Sequence, residues 1–279
     1  MNTYERDSKE AAELVISLAA LYEILNGKLS ALILKIQGKP LTRREAGVLT
    51  KTVAAISANM SLITDAAVPE LVAQSYKAGK LRASLELKGD MSALKAITEA
   101  PGFQATSRDA EVIKILIDNA TGTYREANRI VGRRFDDVIR KLQLKSMATQ
   151  MANGTSEVQT ALDFRRKLVR DGLVSGQGDV RFIRLSGRNY RLDKYSEMVA
   201  RTVSREAYTH GKIQHALKYD FDVVQISSHG TVCDVCKQYE GRMFSLTGKT
   251  AGYPVLDARP PFHPNCQHVL TIVTRPPAA

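Results

Sequence analysis

Apolar residues recur at intervals of three and four from Leu14 through Leu18, Leu21, Leu25, Leu29 and Leu32 to Ile36, which is the signature of one helix face. The Gly and Pro of "QGKP" then close it, so a long amphipathic helix is predicted. A second helix opens at "LTRRE", where Thr42 and Glu45 have capping-box spacing. Leu49, Val53, Ile56, Met60 and Ile63 carry its stripe, and it is expected to stop before Pro69. A weaker helical stretch follows to "LELKGD", and "TEAPGFQATS" reads as a connector rich in breakers. Val112, Leu116, Asn119, Ala127, Val131, Phe135, Val138 and Leu142 mark a very long helix, bent near "ATGTY" and ended by "ANG". "SEVQTALDFRRKLVRDG" adds a short one.

The pattern changes at "LVSGQGD". Two strand-like runs of "DVRFIRLSGRNYRLD" flank Ser186, Gly187, Arg188 and Asn189 and predict a hairpin. Asp193 is expected to cap the next helix, whose Met198, Val199, Thr202, Val203, Ala207, Ile213 and Leu217 keep helical spacing. "DVVQISS" is then a short buried strand. The expected fold is mainly α with a small α+β C-terminal domain: a helical region over 1–172, a linker over 173–179, and a hairpin, helix and strand within 180–279.

With 279 residues and 44% hydrophobic composition the chain can bury one large or two modest cores. Its longest early apolar run, "ELVISLAALYEIL", contains Glu23 and falls short of the roughly 18 residues of a membrane span. "YERDSKE" is not the basic opening of a secretory signal. No membrane partner is expected, and the compartment is expected to be reducing.

The net charge of +11 is uneven: residues 1–124 carry 15 Lys/Arg against 14 Asp/Glu, and residues 125–220 carry 20 against 11. Arg129, Arg133, Arg134, Arg140, Lys141, Arg165, Arg166 and Lys167 are candidate DNA-phosphate contacts, with a solvated helix face of interspersed charges as the alternative. Trp is absent and aromatics make up 6% of the chain, so base stacking is not expected. Phosphate contact with weak sequence preference and steep salt dependence is what remains.

All three cysteines lie in two short segments, "SSHGTVCDVC" and "PPFHPNCQHV". Cys233 and Cys236 form a C-x-x-C, and after 26 intervening residues His263 and Cys266 repeat the gap. Two such pairs can close a tetrahedron around zinc, with three thiolates and one imidazole. Four protein ligands leave no open position for water, so the zinc is expected to be structural and no catalytic residue is assigned. His229 and His268 stand nearby as alternative ligands or as groups that orient a ligand. Three buried free thiols, or a C-x-x-C redox pair, are the rival readings, the latter without a thioredoxin-like βαβ pattern around it. A nuclease using one of these histidines would need an acidic partner, and none adjoins them in sequence. Nucleophile-elbow, phosphate-loop, dinucleotide and H-E-x-x-H motifs are absent, so no small-molecule substrate is expected.

Tyr195, Glu197, Met198, Arg201 and Thr202 form a Y-x-E-M-x-x-R-T helix segment; Ser227 and His229, the C-x-x-C, Gly241 with Ser245 and Leu246, and a closing H-P-N-C-x-H follow. Over roughly residues 187–272 this set resembles the C-terminal domain of tailed-bacteriophage minor capsid proteins of the Mu-type head morphogenesis superfamily, most closely the phage minor capsid protein 2 branch. Gln267 departs from the Arg of many relatives. The resemblance implies a virion protein, present in few copies at the portal vertex of the head and in the host cytoplasm before assembly. It implies action in head assembly and DNA packaging or ejection, and no established enzyme activity. The partners it implies are the portal protein, the major capsid or scaffold protein, and packaged DNA. The alternative is a zinc-containing nucleic-acid binder or nuclease using the basic segment 125–220.

Overall fold

The computed structural model describes residues 9–36, 43–87, 105–153, 159, 162, 182–185 and 188–277. Its elements are α1 (Lys9–Ile36), α2 (Arg43–Leu87), α3 (Ser107–Asn153), the strands β1 (Phe182–Leu185) and β2 (Arg188–Arg191), α4 (Leu192–Lys218), β3 (Val223–Ile226), a single turn α5 (Asp234–Lys237), β4 (Met243–Ser245) and β5 (Leu270–Ile272). The protein is mainly helical with a small antiparallel sheet near its C-terminus, as the periodicity predicts. "QGKP", "TEAPGFQATS" up to Gln104, the expected linker over 173–179 and most of the short helix from Ser156 lie outside the described residues.

Three boundaries differ from the sequence reading, one of them in the hairpin, where Arg188 and Asn189 belong to β2 rather than to the turn. α2 does not stop before Pro69 but runs through it to Leu87. A proline removes one helical N–H and crowds the preceding turn. Here Val68, Leu71 and Val72 on either side are fully buried, and packing on both flanks outweighs the local cost. α4 begins at Leu192 rather than after an Asp193 cap. Asp193 sits inside the first turn, where its carboxylate complements the helix dipole and accepts from Arg191 Nε at 3.1 Å.

The contacts divide the chain into two compact units, Met1–Ile16 with Ala67–Ala120 and Met198–Ala279, and Ser17–Ala66 with Thr121–Glu197. In the second, two tyrosines sit in the interior. Tyr22 and Tyr124 are fully buried with ring centroids 6.0 Å apart. Burial pushes both phenols far above their ordinary range, so each acts as a permanent donor. Tyr22 donates to Asn128 Oδ1 at 2.8 Å, Asn128 Nδ2 donates to Ser61 Oγ at 3.1 Å, and Tyr124 donates to Ser196 O at 3.0 Å. β1 and β2 pair as the predicted hairpin, with Ile183 opposite Tyr190.

In the first unit α2 and α4 approach at glycines. A Cβ on Gly79 would lie 1.9 Å from Tyr208 O, and one on Gly211 would lie 2.1 Å from Tyr76 O. Only a hydrogen at each position lets the backbones meet. Ser75 and Ser204 share a 2.7 Å hydroxyl bond along the same seam, and Ser84 bonds His215 Nε2 at 2.8 Å. α4 then packs on the sheet, whose order is β4-β3-β5. Val224 pairs with Phe244 on one side and Ile272 on the other, and a core of Ile213, Val224, Ile226, Tyr239, Phe244, Leu256 and Leu270 forms between.

One buried carboxylate hooks the sheet to both helices. Glu86, near the end of α2, accepts from Lys212 Nζ of α4 at 2.6 Å and from the Ile272 amide of β5 at 3.1 Å. Lys212 also donates to Leu270 O at 2.6 Å. Charges removed from water this way are tolerable only when each is paired and bonded, as both are.

Candidate metal centre

The buried strand β3 delivers the chain to the C-x-x-C. Gly230, with φ of 65°, lets the backbone reverse, and the Cys233 amide donates to Thr231 Oγ1 at 3.1 Å. The amides of Cys236 and Lys237 both donate to Cys233 O, at 3.1 and 3.0 Å, so one helical turn carries both thiols to the same side. The second half is a tight turn. The Cys266 amide donates to His263 O at 3.0 Å, with Pro264 and Asn265 between and Asn265 at φ of 65°. Proline followed by a left-handed asparagine suits a type II turn. Tyr239 stacks on Phe262 with centroids 4.4 Å apart and planes 10° apart, clamping one half to the other. From α4, Arg205 donates through Nη1 to Cys266 O.

These turns bring the sequence-predicted residues together. Cys233 Sγ lies 3.5 Å from His263 Nε2, Cys236 Sγ 3.2 Å from the same nitrogen, and Cys236 Sγ 3.9 Å from Cys266 Sγ. His268 joins them with Nδ1 3.6 Å from Cys266 Sγ. A tetrahedral zinc with bonds of about 2.3 Å to sulfur and about 2.0 Å to nitrogen has edges of about 3.8 Å between sulfurs and about 3.6 Å from sulfur to nitrogen. The 3.9 Å between the Cys236 and Cys266 sulfurs and the 3.5 and 3.6 Å sulfur-to-nitrogen spacings are close to those edges, with the donors falling into two triplets that share Cys236, and thiolate with imidazole is the donor set zinc prefers. The group can therefore hold a metal ion.

The electrostatics fit a cation. Burial, then the neighbouring Cys266 sulfur, push the Cys236 thiol up to about 12. Two adjacent buried thiolates are untenable unless a positive ion sits among them. Cys233, at the start of the turn, is instead held below its ordinary value by the Cys236 and Val235 amides.

Glu240 is the residue that sequence reasoning missed. Its Oε1 accepts from the His229 amide and its Oε2 from the Thr231 amide at 3.0 Å, and Oε1 lies 3.5 Å from His268 Nε2. The expectation that these histidines lack an acidic neighbour holds along the chain and fails in space, because the α5 to β4 turn folds Glu240 back under the knuckle. His229 itself is exposed, bonded to Ser227 Oγ at 2.9 Å, its ring edge-on to His268 at 5.0 Å. It has no sulfur contact in the metal-ligand groups.

The candidate phosphate contacts are elsewhere. Arg129 and Arg133 are exposed on α3, and Arg129 Nε already donates to Glu126 at 2.7 Å. Arg134, Arg140 and Lys141 lie on the same helix, and Arg165, Arg166 and Lys167 lie outside the described residues.

Long helices with a small antiparallel sheet and a Cys/His knuckle able to hold a metal define a mainly helical protein with a small Cys/His module. The family model described as Phage minor capsid protein 2 matches residues 43–273. The chain therefore belongs to the phage minor capsid protein 2 family, and membership supports a structural role in a virion and contact with other virion proteins. No curated protein and no solved structure matches the chain significantly. Among the described residues no helix is long and apolar enough to cross a membrane.

Proposed function

We propose that this chain is a minor head component of a tailed phage, present in few copies at the portal vertex and acting in head assembly and DNA packaging or ejection. The helices contact the portal and the major capsid or scaffold protein. One structural zinc, held by Cys233, Cys236, His263 and Cys266, staples the C-terminal module. The family match carries the reading, because it spans the helices from residue 43 as well as the Cys/His centre.

Purified heads provide the test. The chain should co-purify with them at a small fraction of the major capsid protein, and should bind isolated portal rings. Heads that assemble and package normally without it would overturn the assignment. Metal analysis of protein purified without added metal should give one zinc per chain.

Glu240 beside His268 is the observation that favours the nuclease reading. Its carboxylate is committed to two backbone amides, and the His268 ring is only 6% exposed. A general base must reach a substrate proton, whereas this pair is built as a brace. DNA cleavage that requires metal and disappears with His229→Ala would reinstate the nuclease.

A further inference from the structure

We propose that His268 is a second imidazole ligand of this centre, able to take the position assigned above to His263, so that the metal is held by three thiolates and either ring. The inference rests on the metal reading above.

The donor atoms form two overlapping triplets, Cys233 with Cys236 and His263, and Cys236 with Cys266 and His268, each within 4.8 Å internally. Three thiolates leave a four-coordinate zinc one vacancy. Each imidazole approaches the thiolates from its own triplet, His263 beside Cys233 and Cys236 and His268 beside Cys236 and Cys266. His268 Nδ1 stands 3.6 Å from Cys266 Sγ, as close to a tetrahedral edge as the 3.5 Å between His263 Nε2 and Cys233 Sγ.

A metal-binding histidine characteristically gives its other ring N–H to an acceptor, which fixes the tautomer and aims the ring. Both rings have one. His263 Nδ1 lies 2.8 Å from Pro264 O. His268 points Nε2 at Glu240 Oε1 from 3.5 Å, beyond a good hydrogen bond, and that buried nitrogen has no closer partner. A small rotation of the ring toward the sulfurs or of the carboxylate toward the ring closes the contact. Glu240 cannot drift away, since the His229 and Thr231 amides hold it. Burial also favours His268, which is 6% exposed while His263 is only half-buried. A thiolate cluster gains most from the imidazole that keeps water out. Glu240 is the positioning residue of this arrangement.

The test is Co(II) titrated into the full-length chain prepared without metal, followed by sulfur-to-cobalt charge-transfer and ligand-field absorption. His263→Ala should still bind one Co(II) with three-thiolate intensity, weakened less than about a hundredfold, and the His263→Ala/His268→Ala pair should lose at least a further hundredfold. Glu240→Gln in the His263→Ala background should weaken binding roughly tenfold with the charge-transfer band retained. Cys236→Ser, common to both triplets, should abolish binding. If His263→Ala and the double variant bind equally poorly, His268 is not a ligand and the proposal fails while the metal reading stands. If the wild-type chain binds no Co(II), both fail. Should His263→Ala not fold, His268→Ala decides: its ligand-field bands shift relative to wild type if both rings ligate, and identical bands overturn the proposal.

Discussion

Lys212 and Glu86 show how a single pair can hold three elements. Each is nearly dry, with side chains 3% and 11% exposed, and together they join α2, α4 and β5. Lys212→Met should therefore cost about 3 kcal/mol, chiefly by taking the ammonium from a largely buried carboxylate and leaving it with Arg82 and the Ile272 amide. Adding Glu86→Gln should recover part of that loss, and a urea double-mutant cycle measures the coupling. A double-variant cost equal to the sum of the two single costs would mean the charges act independently. Nothing in the local sequence marks this pair, since its partners are 126 residues apart. The centre is legible at the same scale for the opposite reason. Cys233, Cys236, His263 and Cys266 announce themselves because ligand spacing is a local property of two turns, whereas Glu240 gains its meaning only from the turn that folds it back on His229 and Thr231.

At the scale of elements, apolar periodicity locates α1, α2, α3 and α4 well, and it misreads the one end where tertiary packing overrides a breaker, Pro69. Periodicity does not show what α4 packs with: the stripe of Met198, Val199, Ala207 and Ile213 marks the helix, while the seam with α2 is made by Gly79, Gly211, Ser75 and Ser204. Gly211→Ala should destabilise by roughly 3 kcal/mol, because the new methyl must push back Tyr76 O. Gly122→Ala, on an exposed helical position with open space around it, should instead stabilise by up to about 1 kcal/mol. Thermal melts of the two variants separate the roles, and equal effects would refute the close approach. The same seam contains a pH response. Burial, then the charges of Lys80 and Lys218, lower His215 to about 4 against an opposing pull from Asp109. The native ring thus stays neutral while the unfolded one, with a value near 6.5, takes up a proton. Stability should be full above pH 6.5 and fall by about 3 kcal/mol as the pH drops toward 4. In His215→Gln that part of the fall should vanish, seen as a stability gap from wild type that narrows across the window. A constant gap would show that the ring titrates alike in both states.

At the scale of the whole molecule, charge is the property that sequence displays and structure only partly places. The excess in 125–220 rides partly on α3, where Arg133 is exposed while Arg125 and Arg129 are engaged with Asp65 and Glu126. Exposed ion pairs of this kind are weak. A phosphate can compete for them, so arginines already paired with carboxylates are still open to DNA. Contact of this type neutralises phosphates without reading bases, so binding should be indifferent to sequence and fall steeply with salt. For Z contacts the log–log slope is about −0.9Z on duplex DNA. Replacing Arg133, Arg140 and Lys141 together by Gln should make the slope shallower by up to about 2.7 while leaving sequence preference unchanged. Filter binding or fluorescence anisotropy between low and moderate salt reads this directly. A slope that does not change would mean that α3 carries its charge for solvation or for a protein partner, and that any DNA contact of the virion protein is made elsewhere.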